Sequence, residues 1–204
     1  MTIRLSLMII LCATPAAASP VSKVTQAARA SFERMPLVQV VDQIEGICGA
    51  DHTVNTRAVY CTTRDVILVS GQDMGAAQTA YLVAHLYGHA AQVQHGVADV
   101  ALRTIQSRRE EEPALRAMVA RQVDCVAGVL FRRAGLPAAD LRDWFSTDPF
   151  PQPHWGRQPL RSGSAMGIGL NNRNQWFNVG YSRGLSSCVS GEFGPDLLVR
   201  ADQF

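Results

Sequence analysis

The chain has 204 residues, 47% of them hydrophobic and 18% charged, which is enough for one domain with its own core. Nineteen Lys and Arg stand against 17 Asp and Glu, a formal net charge of +2. That balance gives no electrostatic footprint for a nucleic-acid partner.

Residues 1–18 read as a secretory signal followed by a domain over 19–204. Arg4 is the positive end, Leu5 to Cys12 form the apolar stretch, and Ala16-Ala17-Ala18 offers a small-residue cleavage site. An uncleaved anchor is the rival reading, but the apolar run is short for a membrane span. No second segment is long enough to cross a bilayer, so no stable membrane insertion is expected after cleavage. The location implied is secreted or periplasmic. Without Cys12, four cysteines remain, and an even number in an exported chain suggests two disulfides. Of the three pairings, the loop-like Gly49–Arg57 stretch favours Cys48 with Cys61, which leaves Cys125 for Cys188; free buried thiols are the rival reading.

Residues 20–47 carry apolar positions at helical spacing, with Pro36 as a break, and predict two helices or one kinked helix. From Ala58 to Ser70 the residues become β-branched or aromatic around a polar Thr62–Asp65 turn, which predicts a β-hairpin. Asp73 is a candidate cap for a helix over Ala76–Gln94, ending at Gly96. A long helix from about Arg109 to Ala134 follows, closed by Gly135 and Pro137. A short helix over Asp140–Phe145, a Pro-rich connection over 147–163 and a helix around Asn172–Arg183, with Trp176 and Phe177 inward, complete the pattern.

The helix over 76–94 contains His85-Leu86-Tyr87-Gly88-His89, the frame of the zinc-peptidase motif His-Glu-x-x-His. Histidines four apart lie about 40° apart around a helix, so both imidazoles can reach one metal. In the working motif the Glu is the base that activates zinc-bound water; Leu86 cannot accept a proton.

Four collinear segments carry a resemblance. They are Ala80-Tyr81-Leu82-Val83-Ala84-His85 continuing to Gln92, Tyr60-Cys61 with Val66-Ile67-Leu68, Gln122-Val123-Asp124-Cys125-Val126-Ala127-Gly128, and Arg173-Asn174-Gln175-Trp176-Phe177 with Gly180, Gly184 and Cys188. Together they resemble the neutral zinc metallopeptidase family over about residues 45–190. The resemblance implies an α+β, mainly helical, zincin-like single domain with a small β-hairpin or sheet. It makes Asp124 the residue that orients a metal-bound histidine, and Val66–Val69 the strand that pairs with extended substrate. It also places a third zinc ligand, a Glu, where this chain has Ala120.

With the base and that ligand both absent, the metal candidates are His85, His89 and Asp124, a vestigial or weak set. Zinc is expected to be absent or weakly held, although it remains possible. His95 has the spacing of a third histidine but lacks the glycine turn that would bring it round, and reads as a helix-end residue. Glu110, Glu111 and Glu112 suit a solvated helix start. His52 and His154 lie in loops with no spacing argument. The reading is a degenerate member of that family: a catalytically inactive pseudopeptidase that binds a peptide or protein partner. An active metal-dependent peptidase or hydrolase using non-standard residues is the alternative.

Overall fold

A computed structural model describes residues 18–52, 57–73, 75–152, 154–156 and 167–194. The expected signal, apart from Ala18, lies outside the described residues. Helix α1, Pro20–Ser31, begins where the Ser19 hydroxyl accepts from the Ser22 N–H and Pro20 occupies the first turn. It buries Val21, Val24 and Ala28, one helical stripe.

The second helix expected before residue 47 is a strand instead. Pro36 restricts Met35 to extended backbone, and Leu37–Val41 forms β1. The spacing of Leu37, Val40 and Val41 imitates a helix face. The run is β-branched, however, and pairs in parallel register with β3, Leu37 opposite Val66 through Val41 opposite Ser70. β2 (Ala58–Cys61) and β3 (Val66–Ser70) form the expected hairpin, with Asp65 at φ 47° in its turn. The sheet order is β1-β3-β2-β4, the last strand being only Trp155–Gly156. β3 therefore has a neighbour on each side. The expectation that Val66–Val69 pairs with an extended substrate fails, because its backbone groups are already spent within the sheet.

Helix α2, Ala77–Gln94, is the centre of the domain, buried continuously from Thr79 to Gln92. Its N-cap is Ala76, without a side-chain bond, and Asp73 lies in a 3₁₀ turn before it. The chain reverses at Gly96, φ 79°, and enters α3, Val97–Ser107, a helix absent from the sequence reading. Helices α4 (Glu112–Arg133), α5 (Leu141–Trp144) and α6 (Leu170–Arg183) follow the expected pattern. Phe177 is buried and Trp176 partly so.

Three helices cross at glycines. A Cβ at Gly128 on α4 would lie 1.9 Å from the Phe177 carbonyl oxygen, and one at Gly180 on α6 would lie 1.8 Å from that of Cys125. Gly88 of α2 meets Val123 of α4 in the same manner, at 2.8 Å. The disulfides are Cys48–Cys61 and Cys125–Cys188, the second tying α4 to the turn after α6. Among the described residues, no helix is long and apolar enough to cross a membrane.

Candidate metal centre

The close crossing of α2, α4 and α6 brings His85 and His89, Asp124, and Arg173 into one buried row. His85 Nδ1 lies 2.7 Å from Asp124 Oδ1, which also accepts from the Tyr81 hydroxyl at 2.8 Å. Asp124 Oδ2 accepts from Arg173 Nη1 at 2.9 Å. Asp124 thus meets the Nδ1 side of His85, while Nε2 of that ring faces His154, and both carboxylate oxygens are occupied. From there it can orient the His85 ring, but it is not placed to share a metal with both imidazoles.

The third nitrogen comes from His154. Its Nε2 lies 3.1 Å from Nε2 of His85 and 3.1 Å from Nε2 of His89. The three side chains are at most 1% exposed and their ligand atoms all lie within 4.8 Å of one another. His154 Nδ1 sits 2.8 Å from the Gln152 carbonyl oxygen, and its own carbonyl accepts from the Tyr60 N–H at 2.8 Å as β4 joins the sheet edge. Two aromatic rings close the site. Phe150 stacks on His85 with centroids 3.9 Å apart, and Trp155 stacks on His89 at 4.5 Å.

The partners fix the protons. A carboxylate and a carbonyl can only accept, so His85 and His154 each carry hydrogen on Nδ1 and present a bare lone pair at Nε2. Those lone pairs face each other at 3.1 Å, a repulsive contact that a cation between them removes. Three nitrogens held tetrahedrally by one zinc, each at about 2.0–2.1 Å, lie about 3.3 Å apart. The spacing and the donor set therefore fit a zinc-sized cation. The protonated forms are disfavoured in addition. Burial lowers His154 to about 4. It lowers His85 and His89 well below the usual imidazole range, with Arg173 and the neighbouring histidines adding to the effect. Neutral imidazole is the form that binds metal.

Burial raises Asp124, while Arg173 and the Tyr81 hydroxyl oppose that shift. Burial also works against charge on Arg173, but Asp124, Tyr81 and Asp148 outweigh it and keep the guanidinium protonated. Gln92 of α2 donates to Gln122 of α4 at 2.9 Å, and Gln122 in turn donates to the Phe193 carbonyl oxygen at 2.9 Å. These bonds hold the two helices in register one turn beyond the site.

The remaining candidates fall elsewhere. Ala120 is buried one turn before Asp124 and offers no polar side-chain atom, and Leu86 belongs to the apolar core. His95 caps the end of α2 beside Phe32, 5.9 Å between centroids, outside the triad. Glu111 and Glu112 pair with Arg108 and Arg116, and Glu110 is exposed. His52 is an exposed turn residue. The weak-zinc expectation rested on two histidines; His154 raises the count to three, the number of protein ligands common in catalytic zinc sites.

No family model, curated protein or solved structure matches this chain. The resemblance to neutral zinc metallopeptidases thus rests on the motif residues alone.

Proposed function

We propose that this chain binds one zinc-like divalent cation through His85, His89 and His154, in a peptidase-like scaffold that no longer cleaves peptides. The observation that carries the reading is the convergence of three Nε2 atoms, two pairs at 3.1 Å, with His85 and His154 already donating through Nδ1. Bound there, zinc would supply Lewis acidity toward an oxygen ligand. The chain itself supplies positioning: Asp124 sets the ring of His85, the Gln152 carbonyl that of His154, and Phe150 and Trp155 exclude water. It supplies no base in the motif, since Leu86 has no proton acceptor. Loss of a general base alone typically costs about 10²–10⁴-fold in rate.

The partner in this reading is a peptide or protein. Its support is a cleft of about 510 Å³ lined by Gln78 and Leu82, which fall on the same stripe of α2 as His85 and His89. A second cleft of about 410 Å³ shares His52 and Arg57 with the first. Export to the periplasm or the cell exterior is supported by the signal-like start and by two disulfides, which persist in oxidising compartments.

The test is zinc content and proteolysis on one preparation. Purified protein dialysed against zinc should retain about one ion per chain and leave casein intact. Chelator-sensitive casein cleavage would overturn the inactive reading; no retained zinc would overturn the metal reading.

A further inference from the structure

His154 follows a strap, residues 146–152, that contains Pro149 and Pro151, and its own carbonyl makes the bond to the sheet edge. Asp148 anchors the strap before that point. Its Oδ1 accepts from the Phe150 N–H at 2.9 Å and from Arg173 Nε at 2.6 Å, and its Oδ2 accepts from the Gly169 N–H at 3.0 Å. Arg173 is fully buried and divides its fork between two carboxylates. Nε serves Asp148 on the strap, and Nη1 serves Asp124 beside His85. Its guanidinium also lies 5.5 Å from the centre of the Phe150 ring that covers His85. One continuous chain of contacts therefore runs from His85 through Asp124, Arg173 and Asp148 to the strap that leads to His154.

Taking a guanidinium and two carboxylates out of water is costly, and such a network adds little stability over apolar packing. What it does supply is geometry, because the planar fork fixes two acceptors in direction as well as distance. We infer that Asp148 and Arg173 form a clasp that delivers His154 to the metal: positioning residues that set metal affinity through the third ligand. The inference rests on the three-histidine metal reading.

The test is a double-mutant cycle read with cobalt(II) as the probe, by titration and by its visible absorption band, on the full chain. Wild type, Asp148→Ala, His154→Ala and the double variant are compared, with far-UV circular dichroism confirming the fold of each. Outer partners of metal ligands typically contribute about 10–100-fold in affinity. Asp148→Ala should weaken cobalt binding by that order and shift the band toward that of His154→Ala. In the His154→Ala background, Asp148→Ala should have a much smaller effect, because only the indirect route through Arg173 and Asp124 to His85 is left. Should the alanine variant not fold, Asp148→Asn carries the same cycle, keeping an oxygen for Phe150 but no charge for Arg173. If wild type binds no cobalt, the metal reading falls and takes the clasp with it. If wild type binds and Asp148→Ala binds equally well, or if the two losses simply add, only the clasp falls.

Discussion

His85, His89 and His154 are neutral in the folded chain because burial disfavours the imidazolium. In the unfolded chain each takes up a proton near pH 6.5. Below that point the unfolded state binds more protons, so metal-free stability falls with pH from about 6.5 toward about 4, where His154 itself titrates. Each histidine contributes up to about 1.4 kcal/mol per pH unit in that window. The urea midpoint of metal-free protein should drop clearly between pH 7 and pH 5; equal midpoints would mean that the histidines are solvated. Leu86 makes a second point at this scale. It is fully buried among apolar side chains, so restoring the motif with Leu86→Glu places a carboxylate in the core. The expected result is a loss of about 3–5 kcal/mol in chemical denaturation without gain of proteolysis. A stable, casein-cleaving Leu86→Glu protein would show that only the base was missing.

Helix crossings decide which residues meet. Gly128 and Gly180 let α4 and α6 approach until a methyl group on either would overlap a backbone oxygen. Gly180→Ala should therefore cost about 3 kcal/mol, the upper end of overpacking, and should displace Arg173 from Asp124. A thermal midpoint unchanged by Gly180→Ala would contradict so close a crossing. The same elements show what could be read in advance. The α2 histidines were legible because a spacing of four has one meaning on a helix, and the β2–β3 hairpin because its residues are β-branched around a polar turn. The disulfides followed from four cysteines and one short loop. β1 was not legible because Leu37, Val40 and Val41 have the spacing of a helix face, and only pairing with β3 makes the run a strand. His154 left no local signal. It lies 69 residues after His85, following a proline-bearing strap whose position depends on Asp148 and Arg173, contacts without periodicity.

At the scale of the whole molecule, the three-histidine cluster joins parts of the chain distant in sequence: the middle of α2, the strap before β4, and, through Asp124 and Arg173, α4 and α6. The Cys125–Cys188 bridge holds the last two together; closing its loop, with a sequence separation of 63, stabilises the fold by roughly 4 kcal/mol in the chain-entropy model. A cation bound by the folded state alone adds further stability, by about 2.7 kcal/mol at a free concentration one hundred times Kd. The central claim is that His85, His89 and His154 share one metal ion. X-ray absorption at the zinc edge of protein equilibrated with one zinc equivalent tests it most directly. Three histidine nitrogens at about 2.0–2.1 Å are expected in wild type and two in His154→Ala. A zinc signal that His154→Ala leaves unchanged, or one without histidine scattering, would contradict it.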